Sequence, residues 1–222
     1  EMSKTSFIYI LSQRYSGSTL LSFLLGTHPQ IGTIGERRKF YVHSMAKNEG
    51  HILNCSCGKP FPKCEHWNKI KSRLLERLGS PKPDINPTEF KFSNNRYKQK
   101  LSSELFKASL STSVSLLRKP LESKLEIFKV FNQALVEESL ELDQAEVFLD
   151  SSKVIDHVLF LSLIEAFDIK VVWLTRDPRA QVNSAMKYNK WTVEEATSHW
   201  KREMKQNEFW LKKLGMNYTS LN

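Results

Sequence analysis

Three short polar clusters in this chain carry residue types that bind anions. The first is Ser12-Gln13-Arg14-Tyr15-Ser16-Gly17-Ser18-Thr19. Gly17 permits close backbone approach, and the amides that follow point out of a helix N-terminus, where an oxyanion is favoured without a side-chain charge. Ser16, Ser18 and Thr19 add hydroxyl donors. The second cluster, Asp150-Ser151-Ser152-Lys153, offers a lysine and two hydroxyls. The third is Arg176-Asp177-Pro178-Arg179, with Ser184 two turns into the next helix. Arg176 supplies a forked, permanently charged donor suited to a phosphate. Taken singly, each cluster has a plain explanation as a helix cap or a surface charge. Together, Arg14, Lys153 and Arg176 describe a cationic crevice for a ligand with more than one anionic group.

Such a crevice requires that the three clusters sit at the ends of neighbouring strands. Ser6 to Ser12 is aromatic and β-branched and reads as a buried strand. Ser18 onward places Leu20, Leu21, Phe23, Leu24 and Leu25 at helical spacing, ending near Gly26. Thr27 to Glu36 reads as a loop punctuated by His28-Pro29, Gly32 and Gly35. A short helix is expected over Lys69 to Leu78, and an exposed loop over Ser80 to Arg96. Tyr97 to Asp143 reads as mostly helical, with Ser123 and Glu126 as a capping box before Phe128, Phe131, Ala134 and Leu135. Strand and helix then alternate. Glu146 to Asp150 is a strand, Val154 to Phe167 a helix, Lys170 to Thr175 a strand and Pro178 to Tyr188 a helix. A second capping box, Thr192 with Glu195, opens a helix that runs towards Gly215. This alternation implies right-handed βαβ units and a parallel sheet, in which ligands bind beyond the carboxyl ends of the strands.

Composition agrees with a folded, anion-binding chain. The 222 residues suit one domain with a real core. Hydrophobic residues make up 40% and charged residues 26%, ordinary values for a globular protein. The net charge of +9 attracts nucleotides, phosphorylated or sulfated molecules, nucleic acid or an acidic membrane. Lysines and arginines are scattered among acidic residues rather than drawn into a stripe, which argues against nucleic acid. The longest apolar stretch, Val158 to Phe167, is interrupted by Ser162 and Glu165, so no transmembrane segment is expected. No secretory signal is read at the start, and a cytoplasmic location is expected. The sequons at Asn54 and Asn217 would count only in a secreted protein.

The first loop is not a Walker A motif, because no lysine follows Gly17. A P-loop-type kinase or nucleotide-binding protein would want that lysine and a metal-holding aspartate after a strand. Asp150 alone is weak support for it.

The motifs resemble those of the PAPS-dependent sulfotransferases, nearest the tyrosylprotein and bacterial branch (PAPS is 3′-phosphoadenosine-5′-phosphosulfate). The family's first loop usually reads R-S-G-[ST]-T-L-[LM], followed by a helix, H-P and a glycine-glutamate pair. Here stand Tyr15-Ser16-Gly17-Ser18-Thr19-Leu20-Leu21, then His28-Pro29, then Gly35-Glu36. The family's R-D-P-R-A-x-x-x-S is matched in full from Arg176 to Ser184. Bacterial members often carry D-S-S-K and a C-x-C-G…C segment, as in Asp150 to Lys153 and Cys55 to Cys64. The similarity runs from about Ser6 to Trp210, with a weak middle.

The resemblance implies a P-loop-like three-layer α/β fold, with a central parallel sheet flanked by helices. It implies one domain over 1–222 with a helical, acceptor-side insertion at about 68–145. It implies a 5′-phosphosulfate cradled by Arg14, Tyr15, Ser16, Gly17, Ser18 and Thr19, and a 3′-phosphate held by Arg176 and Ser184. Glu36 matches the catalytic carboxylate that takes the acceptor's proton. Lys153 and the loop amides would stabilise charge on the leaving phosphate, and the catalytic set would include Arg14, whose guanidinium would reach the phosphosulfate. Arg38 would hold the acceptor or tune Glu36. His28 is a rival base whose H-P setting reads better as a structural turn. PAPS is the implied co-substrate and 3′,5′-ADP the product, with no obligatory metal. The acceptor would be a small molecule, carbohydrate, lipid or peptide bearing a hydroxyl or amine. Two features depart from the pattern. Tyr15 stands where the family has arginine, with Arg14 one place earlier, and the family continues beyond the position of Asn222 into a strand and a nucleotide-closing segment.

Three cysteines fall within ten residues, a poor disulfide framework that favours a reducing compartment. Cys55, Cys57, Cys64 and His66 are ligand types that zinc accepts. The tight C-x-C spacing favours reading them as buried or free thiols instead.

Overall fold

A computed structural model describes residues 4–44, 54–79, 87–88, 104, 106–108 and 122–222. The protein is an α/β fold on a five-stranded, all-parallel central sheet flanked by helices. Chain contacts divide it into two compact units, Glu1–Arg37 with Asp143–Asn222, and Arg38–Leu142.

The first unit holds the sheet. Its strands are β1 (Thr5–Ser12), β2 (Ile31–Thr33), β3 (Val147–Lys153), β4 (Phe167–Leu174) and β5 (Tyr218–Leu221), in the order β2-β3-β1-β4-β5. β1 lies at the centre, and Phe7, Tyr9, Ile10 and Leu11 are at most 1% exposed. An interior parallel strand is covered on both faces, which is why β1 reads as a continuous apolar run. Phe7 packs against Phe148 and Phe167, with ring centroids 5.2 and 5.1 Å away. The helices are α1 (Ser18–Leu25) after β1, α5 (Ile155–Leu161) between β3 and β4, and α6 (Pro178–Asn189) and α7 (Val193–Lys213) before β5. The crossovers β1→β2 and β3→β4 run in opposite directions across the sheet, which for right-handed crossovers puts α1 and α5 on opposite faces. The helix starts follow from capping chemistry. Asp177 accepts from the Arg179 amide at 2.8 Å with Pro178 in the first turn. Thr192 and Glu195 form both bonds of a capping box.

The second unit is helical, with α2 (Phe40–Ser44), α3 (Glu65–Leu78) and α4 (Glu122–Asp143, whose last residue belongs to the first unit). Trp67, Ile70 and Leu74 form the buried face of α3, and Phe128, Phe131, Ala134 and Leu135 that of α4, the last four as read from the sequence. Asn132 is fully buried and donates to the carbonyls of Pro87 and Phe128. Arg73 pairs with Glu141 at 2.8 Å, and Arg77 with Glu137 and Glu138.

Several boundaries differ from the sequence reading. The Thr27 to Glu36 loop contains β2, too short and glycine-interrupted to show alternation. β3 continues through Asp150-Ser151-Ser152 to Lys153, so these residues are strand rather than the turn after it. Val154 to Phe167 is not one helix: α5 ends at Leu161 and β4 begins at Phe167, paired to Thr5. A largely apolar run does not reveal where a buried helix gives way to a buried strand. α3 starts at Glu65, four residues before the expected Lys69. Ser123 lies inside α4 and cannot cap it. A fifth strand that the sequence did not announce, β5, pairs with β4 from Val171↔Tyr218 to Leu174↔Leu221. Most of the expected Ser80 to Arg96 loop, and of the helical stretch from Tyr97 to Leu121, lies outside the described residues.

One buried ion pair ties the edge of the sheet together. Arg37 Nε lies 2.9 Å from Asp150 Oδ2, and both side chains have no exposure. Removing one partner strands the other charge in the interior, at a typical cost of about 3–5 kcal/mol. Asp150→Ala is therefore expected to lower the unfolding free energy by that amount in urea titration. Lys212→Ala, which breaks the exposed Lys212–Glu208 pair on α7, should cost less than about 0.5 kcal/mol.

Candidate functional site

The connection after β1 leaves towards β2, and that after β4 leaves towards β5. Connections that diverge open a crevice at the carboxyl ends of the strands. The ends here are level: Ser12 is paired with Leu174, and Leu11 with Lys153. The three polar clusters of the sequence therefore share one edge of the sheet.

The β1 loop is shaped by two residues in left-handed conformation, Tyr15 at φ 66 and Gly17 at φ 90. Gly17 is the N-cap of α1, and an added Cβ would meet nothing within 4 Å. The mouth of the loop is thus open, and the glycine is needed for its backbone conformation rather than for space. The amides opening α1 have no partner within the helix and line this mouth. Ser16 and Ser18 are buried, while Arg14 and Thr19 are exposed. Ser16 Oγ donates to the Gln13 carbonyl at 2.6 Å.

Gln181, on α6, holds this loop from behind. Its Nε2 donates to the Arg14 carbonyl and to Ser16 Oγ, both at 3.0 Å, and its Oε1 accepts from Trp200 Nε1 on α7 at 3.0 Å. Gln13 Nε2 donates to the Trp200 carbonyl at 3.0 Å. Arg176 reaches across from β4, and its Nη1 donates to the Tyr15 carbonyl at 2.8 Å. The Tyr15 ring stacks on Tyr188, and its hydroxyl donates to Asn189 Oδ1 at 2.8 Å. Tyr15 thus presents its carbonyl to the site while its side chain anchors to the end of α6. Ser184 lies on the same helix, its hydroxyl donating back to the Ala180 carbonyl at 2.9 Å. Arg179 is turned onto Asp177, holding that carboxyl down at about 2, and serves the helix start. Burial pushes the Glu203 carboxyl on α7 up, and the charges of His199, Arg202 and Arg14 partly offset it.

At the β3 end, Lys153 Nζ lies 3.0 Å from Glu36 Oε1, with both side chains about four-fifths buried (23% and 20% exposed). The backbone brings them together. Tyr9 pairs with Asp150 and Leu11 with Lys153, so β3 carries an extra residue there. A bulge of this kind re-aims the side chains that follow it, and Lys153 ends it at φ 76. Opposite, the Ser151 amide donates to the Gly35 carbonyl at 3.0 Å, and Asp150 accepts from the Arg37 amide and from Ser152. Glu36 is fixed between two residues that are both bonded to β3.

The edge therefore holds two groups: Arg14–Thr19 with Arg176 and α6, and Glu36 with Lys153. His28 sits in an exposed turn, its Nδ1 accepting from the Gln30 amide at 3.2 Å, as its H-P setting suggested. Arg38 belongs to the other unit, where its carbonyl accepts from the buried Thr88 hydroxyl at 2.7 Å. Sequence reasoning missed Gln13, Arg37, Gln181 and Trp200. Gln181 and Trp200 carry no charge and fall in helical positions that read as ordinary surface. Arg37 was hidden beside Glu36, where its full burial leaves no sequence signal. No protein-family model matches the chain, and comparisons with curated proteins and with solved structures give no match either.

Replacing Gln181 by methionine keeps its bulk but removes three hydrogen bonds. The Arg14 carbonyl, the Ser16 hydroxyl and the Trp200 indole each lose a partner. Leaving such groups unsatisfied typically costs about 1–3 kcal/mol. Gln181→Met should show a loss in that range in urea titration, and a loss below about 0.5 kcal/mol would mean that the loop holds without it.

Proposed function

We propose that this protein is a sulfotransferase that moves a sulfuryl group from PAPS to an acceptor hydroxyl or amine. The observation that carries the reading is the convergence at one sheet edge of an open anion-binding loop, Arg176, and the Glu36–Lys153 pair. A bis-anionic nucleotide fits that donor set chemically. The open mouth at Gly17 suits a 5′-phosphosulfate. Arg176 and Ser184, on the far side of the loop, are assigned to the 3′-phosphate.

The reaction needs a proton acceptor and charge neutralisation, and the chain offers both. Glu36 takes the proton from the acceptor as its oxygen or nitrogen bonds to sulfur. The bond between sulfur and the bridging phosphate oxygen breaks, and that oxygen keeps the electron pair. Lys153 and the amides of Ser16 to Thr19 face the charge that develops there. Donors so placed are worth about 3–4 kcal/mol each. The 3.0 Å ion pair gives Lys153 a second task, since it fixes the carboxylate that must receive the proton. The kinase reading is poorly served, because Asp150 is fully buried and already paired with Arg37. A small molecule, carbohydrate, lipid or peptide remains the proposed acceptor class.

Ligand binding is the first check. At about 100 times its dissociation constant, 3′,5′-ADP should stabilise the fold by about 2.7 kcal/mol, seen as a rise in Tm. A rise with ATP and none with 3′,5′-ADP would sink the reading. Arg176→Ala and Ser184→Ala should weaken 3′,5′-ADP more than 5′-AMP, and equal losses would place the motif at the wrong phosphate.

Chemistry is checked separately. Glu36→Gln removes basicity but keeps size, so it should bind 3′,5′-ADP normally and lose turnover by about 10²-fold or more. Lys153→Ala should lose turnover and also bind the nucleotide more weakly. Wild-type turnover from Glu36→Gln would reduce Glu36 to a loop residue.

A further inference from the structure

The three thiols lie in the second unit. Asn54 and Pro60 form an isolated antiparallel bridge that closes a short hairpin. Inside it the Cys55 amide donates to the Lys59 carbonyl at 2.8 Å, and the Gly58 amide donates to the Cys55 carbonyl at 2.9 Å. Gly58 adopts φ +83 with nothing within 4 Å of an added Cβ. This left-handed residue turns the chain directly after Cys57. A 3-10 turn, Phe61–Lys63, then carries the chain to Cys64, the N-cap of α3. The outcome is that the Sγ atoms of Cys55, Cys57 and Cys64 all lie within 4.8 Å of one another.

The spacing is informative. A tetrahedral zinc ion with Zn–S of about 2.3 Å sets its sulfurs about 3.8 Å apart. Cys57 Sγ and Cys64 Sγ are 3.7 Å apart, close to that edge and far from the roughly 2.05 Å of a disulfide. A disulfide would also use two sulfurs and leave the third in place beside it. Burial is graded, with Cys64 buried, Cys55 half-buried and Cys57 exposed, so an ion has both a shielded seat and a way in. The positive end of α3 lies at Cys64 and favours the surplus negative charge of three thiolates around a divalent ion. Among the described residues His66 does not join the three sulfurs within that radius.

We infer that Cys55, Cys57 and Cys64 form a three-thiolate site for a zinc ion, with the fourth position taken by solvent. The site is a structural clip. It fastens the hairpin to the start of α3 and holds Phe61 between them, where its ring stacks on His43 at 4.6 Å and meets Trp67 at 4.3 Å. The proposal is independent of the reaction assigned to the first unit.

The test uses the whole chain, purified with a reductant and without added chelator. Metal analysis by mass spectrometry should find one zinc per chain. Cobalt exchanged into the apo-protein should give the intense visible bands of tetrahedral coordination and a sulfur-to-cobalt charge-transfer band. Chelation should lower Tm. Cys57→Ser alters an exposed side chain, so its fold should survive. Disturbing a group behind a metal ligand already costs about 10–100-fold in affinity; removing a ligand should weaken cobalt binding by about 100-fold or more. His66→Ala should leave the cobalt spectrum unchanged. If Cys57→Ser fails to fold, Cys55→Ser is read in the same way, and the wild-type metal content stands by itself. The inference is overturned if reduced wild-type protein takes up neither zinc nor cobalt, if a Cys57–Cys64 disulfide persists under reductant, or if the serine variant binds cobalt like wild type.

Discussion

Arg37 and Asp150 have no contact with water, and the geometry of one sheet edge follows from their pairing. An isolated buried charge is intolerable, so each side chain dictates where the other must be. Asp150 is held inside β3, bonded also to Ser152. Arg37 is the residue directly after Glu36. Fixing Arg37 on Asp150 therefore places Glu36 beside the end of β3, and the chain two residues past Ser151 delivers Lys153 to it. The Ser151 amide on the Gly35 carbonyl adds a backbone bond in the same direction. The pair that would do the chemistry is exposed enough to meet a substrate. The pair that positions it is not exposed at all.

The β1-loop side of the edge is organised on a different principle. A neutral amide, Gln181, bridges the β1 loop, α6 and α7 through bonds to Arg14, Ser16 and Trp200. A charged residue in that place would compete with an incoming anion or draw it to the wrong spot. The amide braces the loop without adding to its field. The cations, Arg14 and Arg176, remain at the exposed surface, where the site can use them. Tyr15 follows the same logic, since its ring is spent on Tyr188 and Asn189 while its carbonyl meets Arg176.

The parts of this arrangement that were legible in the sequence share a physical property. β1 and α1 announce themselves by a buried apolar run followed by a glycine and small hydroxyl residues. The capping box at Thr192 and the proline start at Pro178 are local signals, and both elements begin there. What stayed hidden depends on distant partners. β2 has three residues and exists through its pairing with β3, from Ile31↔Val147 to Thr33↔Leu149. The bulge before Lys153 is a relation between two strands, so no single segment could display it. The apolar stretch from Val154 to Phe167 was read as one helix because a buried helix and a buried strand ask for the same side chains. Asp150, read from the sequence as part of a polar strand-end cluster and as weak support for a metal-holding aspartate, is the interior partner of an arginine that the sequence placed in a loop.

Backbone strain supports the same division of roles. Among the described residues four that are not glycine have positive φ, namely Tyr15, Gln144, Lys153 and Lys190. Lys190 is the C-cap of α6 and Gln144 directly follows α4, sites where a left-handed residue commonly ends a helix. Tyr15 and Lys153 have no such reason. One sits in the loop after β1 and the other ends the bulged strand. Neither residue type favours this region, which typically costs about 1–3 kcal/mol at such positions and persists only where the surroundings impose it. The surroundings here are those already named. Gln181, Arg176 and Asn189 hold the stretch around Tyr15, and the bulge with the Asp150–Arg37 pair holds the stretch around Lys153. Both strained residues lie at the one edge where the strand connections diverge, and contacts of the fold hold each of them there.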